Sequence, residues 1–266
     1  MSVSITYEGR LKSADLITPI LEELRDLAKE LGWRPKRIGP KEYELIYGPI
    51  VTARGIELII DPEGGMFESL TMTFDQEGNL VNENMLKLYS DKKLLRLMNK
   101  TTNPFTGEPQ YRIWIPKTAE EKKKYTWDVL VKSDLFGFNG IQTNYLGPEK
   151  HILLCKLLRY LKKKYFKQLQ VDDSSGHWKT GNVKRLAKEI ETMNFFYGHV
   201  NKFFKHVEAN PLPKNATLKD LLNDLTTYLA LVSTQAPHLP KAKATRKKGT
   251  TGKKGTQRSK KRGKEE

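Results

Sequence analysis

Apolar positions along the chain change period several times, and each change predicts an element. Val3, Ile5 and Tyr7 alternate with Ser4 and Thr6, the two-residue period of a strand with one buried face. Leu16, Ile17, Ile20, Leu21, Leu24, Leu27, Ala28 and Leu31 then recur at steps of three and four. That spacing predicts a helix opened by Ser13 and closed by Gly32, with Asp15, Glu22 and Arg25 outward. Residues 33–38, interrupted by Pro35, and residues 43–47, 56–60 and 69–74 are strand-like. Residues 61–65 are expected as a loop between the last two, and residues 75–78 as another turn.

In the middle of the chain a short helix is expected over 91–99 and a loop over 101–110, with a strand over 111–115 that stops at Pro116. A charged segment covers 120–124, and strands over 127–131 and 141–145 are joined through a turn at 137–140. The last third is helical. Pro148 suits the first turn of a helix over 149–166 with Leu154, Leu157, Leu158 and Leu161 inward. Leu169 and Val171 suggest a short strand, and 172–182 a loop. Val183, Leu186, Ile190, Met193, Tyr197, Val200, Phe204 and Val207 form a heptad-like seam on a helix over 183–207, ended by Pro211 and Pro213. Thr217 opens a final helix with Leu221, Leu222, Leu225, Tyr228, Leu229 and Val232 inward. The expected fold class is α+β: a mainly antiparallel sheet with a packed N-terminal helix, then a helical part over 148–236. The globular unit is residues 1–236, and residues 237–266 are a separate tail.

Composition sharpens that division. The last 26 residues, from Lys241 to Glu266, contain no Val, Ile, Leu, Met, Phe, Tyr or Trp. They hold twelve Lys and Arg against two Glu, a net of +10, so residues 1–240 hold only +6 of the chain's +16. Such a tail has nothing to bury and is expected to be disordered when free. Polyanions are its natural partners, because each neutralised phosphate releases counterions. The expected nucleic-acid-binding residues in it are Arg246, Lys247, Lys248, Lys253, Lys254, Arg258, Lys260, Lys261 and Arg262. It has no aromatic residue to stack on bases, so recognition is expected to be largely independent of sequence.

Cys155 is the only cysteine, in an apolar run, and reads as a buried small hydrophobe that forms no intrachain disulfide. The N-terminus shows no secretory signal pattern, and no apolar run approaches the roughly 18 residues needed to span a bilayer, so the cytoplasm is expected. Phosphate-binding glycine loops, dinucleotide fingerprints, paired zinc cysteines, nucleophile elbows and His-Glu-x-x-His are absent from the sequence, and no cofactor or metal is expected.

Two interior segments carry candidate chemistry. Lys156, Arg159, Lys163 and Lys167 fall three or four apart on one side of the 149–166 helix. The stripe suits either phosphate tracking or a solvated face. Asp172, Asp173 and His177 place two carboxylates and an imidazole in one segment, suited to cation binding or proton exchange. The same residues also suit a polar turn in which Trp178 anchors the loop to the core. His151 starts the preceding helix roughly 15 residues, at about 1.5 Å each, from the helix's far end, which argues against its meeting His177.

Tyr7-Glu8-Gly9-Arg10-Leu11, Gly147-Pro148-Glu149-Lys150-His151 and Gly176-His177-Trp178-Lys179-Thr180-Gly181 resemble short motifs of a family of uncharacterised bacterial cytoplasmic proteins. The resemblance is scattered over about residues 1–210 and excludes the tail. It implies a shared fold and a bacterial cytoplasmic setting, and it supplies no activity. The preferred expectation is a non-enzymatic protein that associates with DNA or RNA through its tail. The alternatives are an enzyme with a loop site at Asp172, Asp173 and His177, and an adaptor that uses the 183–207 helix to bind a protein partner.

Overall fold

The computed structural model describes residues 2–46, 48–60, 68–100, 118–124, 139–210 and 217–234. The tail and the strands expected over 111–115 and 127–131 lie outside these residues, as do the loops expected over 61–65 and 101–110. The described part is α+β and its strand pairing is antiparallel throughout.

Strand β1 (Ser4–Leu11) is the centre of the first sheet, flanked by β6 (Asn139–Gln142) and β7 (Phe166–Asp173). The second sheet runs β2 (Arg34–Glu44), β3 (Ile50–Ile60), β4 (Glu68–Phe74) and β5 (Leu80–Val81) in order. β2 is longer than expected. It passes through Pro35 and joins the two strand-like stretches of its sequence, with a register shift between Ile38 and Lys41. It is the outer strand of its sheet, where Pro and charged residues are tolerated because one row of backbone groups faces solvent.

The two sheets share one core. The Tyr7 hydroxyl donates to the Thr71 carbonyl at 2.7 Å, and Leu11 N–H donates to the Gly78 carbonyl at 2.9 Å. Helix α1 (Ile17–Glu30) lays Ile17, Ile20, Leu24 and Ala28 into this core, as its spacing predicts. Even-numbered residues of β3 and β4 (Ile56, Leu58, Ile60, Leu70, Met72, Phe74) join them. Val51 and Ala53 have the opposite parity on β3 and face the other side. There they meet Leu86 and Tyr89 of α2 (Glu83–Ser90) and Leu95 of α3 (Lys92–Lys100) in a second cluster. Helix α2 was not expected from the sequence. Its start is set by the Asn82 side chain, which accepts from the N–H groups of Asn84 and Met85. The charged segment at 120–124 is helical, as α4 (Ala119–Lys124).

Helix α5 (Gly147–Lys164) covers the first sheet with His151, Leu154, Cys155, Leu157, Leu158 and Leu161. It leads into β7 through a single residue, Tyr165. The C-terminal third is helical apart from β7, the strand expected around Leu169 and Val171, which pairs with β1 along its length. The one-turn helix α6 (His177–Thr180) and the long α7 (Val183–Ala209) follow. Leu186 and Ile190 of α7 pack on Val3, while Phe203, further along, meets Tyr228 of α8 (Leu218–Ser233). The expected seam thus divides between two supports. In its second half Phe203 is buried and Phe204 exposed, the reverse of the heptad reading. Helices α1 and α5 are locked by the partly buried Glu23, whose carboxylate accepts from Lys164 Nζ at 2.8 Å and from the hydroxyls of Tyr160 and Tyr165.

Two predictions follow from this packing. A Cβ at Gly55 would lie 2.4 Å from the Met72 carbonyl oxygen and 2.7 Å from the Thr73 Cα, both backbone atoms that cannot turn aside. Gly55→Ala is expected to destabilise by about 1–3 kcal/mol in urea titration. Burial raises the Glu23 carboxyl, but the hydrogen bonds from Lys164, Tyr160 and Tyr165 outweigh it and hold the group below its ordinary 4.5. A depressed carboxyl stabilises the fold above its unfolded value and loses that contribution as pH falls towards the folded one. Glu23→Gln should therefore lower Tm at pH 7, and the difference from the unsubstituted protein should shrink below about pH 4.5. A gap that stays constant with pH would show that the charge is not the stabilising feature.

Candidate functional site

The ends of the three strands of the first sheet converge on one buried polar cluster. Val3 precedes β1, Thr143 follows β6, and Asp173 ends β7 beside Ile5. The first turns of α5 supply His151 and Cys155, four residues apart on its core-facing stripe. Gly176, at φ +72°, turns the chain from β7 into α6, and Gly181, at φ +65°, ends that single turn. Both positions favour glycine because a Cβ is strained there. Between them His177 is directed inward, 4% exposed. Trp178 packs against the main core, the anchoring role expected of it.

The sequence argument against a His151–His177 pair is overturned. The two rings meet edge-on with centroids 5.8 Å apart. Strand β7 runs back along α5: eight residues at about 3.3 Å rise cover roughly 26 Å, and eighteen helical residues at about 1.5 Å cover roughly 27 Å. The chain that leaves the far end of the helix returns to its start.

Asp173 is the hub. Its Oδ1 accepts from Ser175 N–H at 2.9 Å and from the Ser175 hydroxyl at 2.7 Å; its Oδ2 accepts from Trp178 N–H at 2.7 Å. His151 Nε2 lies 3.4 Å from Oδ2, and His151 Nδ1 is 2.7 Å from the Thr143 hydroxyl. Burial raises the Asp173 carboxyl, but the bonds from His151, Ser175 and Trp178 N–H outweigh it and hold it well below the usual carboxylate range. Burial and the neighbouring Asp173 carboxylate push the Cys155 thiol up to about 12, with Arg159 acting in the opposite direction. His151, Cys155 and Asp173 each offer a ligand atom, all within 4.8 Å of one another. His177 stands beside them, and its Nδ1 is buried with no hydrogen-bond partner among the described residues.

Asp172 takes no part. Successive strand residues face opposite sides, and Asp172 is exposed where Asp173 is buried, so the two carboxylates expected to cooperate do not share a site. The segment expected as a loop over 172–182 is a strand end, a turn and one turn of helix. Sequence reasoning missed His151, Cys155, Thr143 and Ser175. The first two had a signal: they occupy positions of the 151, 154, 155, 158 and 161 stripe otherwise filled by Leu. Thr143 and Ser175 had none.

On the outer side of α5, residues 156, 159, 160, 162, 163 and 164 are exposed, and all but Tyr160 are Lys or Arg; Lys167, expected on the same helix, is exposed on β7 instead. Arg159 is held in place, stacking over Trp178 at 4.7 Å and donating to its carbonyl at 2.6 Å. Lys164 is paired with Glu23. Lys156, Lys162, Lys163 and Lys167 form no ion pair among the described residues. A groove of about 360 Å³, not read from the sequence, lies between α1 and the β2–β3 hairpin; Arg25, Lys29, Arg37 and Arg54 line it together with Glu22, and Arg25 and Lys29 are paired with Asp26.

No protein-family model, curated protein or solved structure matches the chain. Among the described residues no helix is long and apolar enough to cross a membrane.

Ser175→Ala tests the hub. It removes one donor to a buried carboxylate and the acceptor that His177 N–H meets at 3.2 Å. A loss of about 1–3 kcal/mol is expected in denaturant titration. A loss below about 0.5 kcal/mol would show that the hydroxyl does not support the carboxylate.

Proposed function

We propose that this is a cytoplasmic nucleic-acid-binding protein that holds DNA or RNA by its phosphates, through the basic tail and the outer face of α5. The observation that carries the reading is the one-sidedness of α5. Its inner face is committed to the core, while Lys156, Lys162 and Lys163 stand exposed and unpaired among the described residues on the other, with Lys167 following at the start of β7. A cationic face with no acidic residue among its exposed positions from 156 to 167 attracts polyanions, and the tail adds twelve cations to it. Arg159 belongs to the fold of the α6 turn and is assigned no phosphate contact.

The tail's sequence has no aromatic residue to stack on bases and the unpaired cations of α5 are lysines, so the reading is of backbone binding with little sequence preference. With about six to ten of the tail's cations engaged on duplex DNA, log K against log salt should have a slope of about −5 to −9, nearly equal for unrelated sequences. Truncation after Pro240 should remove most affinity and leave Tm nearly unchanged. In the truncated chain, joint replacement of Lys156, Lys163 and Lys167 by Glu should remove the remainder. Gel shift and salt titration decide this. Equal binding by full-length and truncated chains, or none by either at low salt, would overturn the reading.

A further inference from the structure

We propose that His151, Cys155, Asp173 and His177 form a closed, four-coordinate site for a divalent transition metal of the zinc class. The first observation is the pair of two-residue units. His151 and Cys155 are four apart on one helix face, and Asp173 and His177 are four apart across the turn from β7 to α6. Ligands spaced this way on neighbouring rigid elements can point at one centre, and imidazole, thiolate and carboxylate are all zinc ligands.

Distance is the second observation. His151 Nε2 and Asp173 Oδ2 are 3.4 Å apart, both side chains fully buried. A charge-assisted hydrogen bond between such groups would close to about 2.7–2.9 Å. A tetrahedral centre with bonds of about 2.0–2.1 Å has ligand–ligand edges of about 3.3–3.4 Å. The Cys155 sulfur lies within 4.8 Å of an imidazole nitrogen of His151 and a carboxylate oxygen of Asp173. Longer Zn–S bonds of about 2.3 Å widen that edge further.

The third observation is His177. A buried imidazole nitrogen without a hydrogen bond among the described residues costs free energy, and this one belongs to a ring that meets the His151 ring edge-on. Two imidazoles on one tetrahedral metal have ring centroids about 5 Å apart. His177 lies outside the set of ligand atoms within 4.8 Å of one another, with its ring 5.8 Å from that of His151, so a side-chain rotation brings it into the first coordination sphere.

The surroundings match a ligand set. Thr143 Oγ1 is 3.2 Å from the Val3 carbonyl and 2.7 Å from His151 Nδ1. In a metal-bound state the hydroxyl would donate to Val3 and accept from Nδ1–H, so that the Nε2 lone pair binds the cation in place of the Asp173 contact. Ser175 fixes Oδ1 of Asp173 from the side, and Oδ2, which accepts from Trp178 N–H, has a further lone pair to offer a metal. These are the outer contacts that orient metal-bound imidazole and carboxylate groups. On binding, the metal–sulfur bond replaces the S–H bond of Cys155 and one proton goes to solvent. Thiolate and carboxylate then neutralise the divalent ion, so the buried site carries no net charge. The burial of His151, Cys155 and Asp173 suits a structural rather than a catalytic centre, since no position is left open to solvent.

Co(II) titration of the full-length protein, after dialysis against a chelator, tests the proposal. The expected result is one Co(II) per chain, with tetrahedral d–d bands in the visible and a sulfur-to-cobalt charge-transfer band in the near ultraviolet. Zn(II) should displace it and raise Tm. Cys155 is the only cysteine in the chain, so the charge-transfer band has one possible source. Cys155→Ser should abolish that band, and Thr143→Val should weaken the metal by about 10–100-fold. If the Cys155 variant does not fold, the spectrum of the unsubstituted protein still decides. Absence of the charge-transfer band, an octahedral spectrum, or a Zn(II) effect on Tm that survives in Cys155→Ser would overturn the site.

Discussion

The antiparallel return of β7 along α5 is the constraint on which the rest of this structure depends. Helix and strand have nearly equal lengths and one residue between them, so the end of the strand must arrive at the start of the helix. β1 then takes β7 on one side and β6 on the other, which gathers three strand ends at the same place. Shortening either element by a few residues would leave Asp173 beside the leucines of α5 instead of His151. An ionised carboxylate there would have no imidazole partner, which is one of the costly arrangements in a protein interior.

That carboxylate also explains local structure that is otherwise arbitrary. Three donors from the next five residues converge on it, and they turn the chain out of β7 into α6. Gly176 supplies the left-handed residue the turn requires, and Arg159 closes the turn from outside through the Trp178 ring and carbonyl. The polar interior and the basic exterior of α5 are thereby coupled: a residue counted among its solvent cations is part of the wall of the buried cluster.

Much of the fold was legible because apolar period reports burial directly. The α1 stripe, the alternation of β1, the inward face of α8 and the α+β class all appear in the sequence as spacing. Helix α2 did not, because its buried residues Leu86, Leu88 and Tyr89 do not lie on a single stripe and its start depends on the Asn82 side chain. The extent of β2 was hidden by prolines that a sheet's outer strand tolerates. The candidate site was half legible. Asp173, His177 and Trp178 stood out as polar and aromatic residues in a turn-like segment. Their true partners did not, because a return path 22 residues long, from His151 to Asp173, is a property of topology and not of local spacing.

The same helix therefore has two roles that its sequence keeps apart by rotation. Positions 151, 154, 155, 158 and 161 face inward, and positions 156, 159, 163 and 167 project to solvent on α5 and the start of β7. A helix held only by leucines is set about its axis by shape complementarity, which tolerates some rotation and repacking. His151 is held more strictly, because its ring meets the Thr143 hydroxyl on one side and the Asp173 carboxylate on the other. Hydrogen bonds weaken steeply with misalignment, so this end of α5 has a defined rotation. Lys156 follows Cys155 directly, and its direction is fixed by that same rotation. The buried polar cluster thus determines where the basic face of α5 points, whatever occupies the cluster's centre.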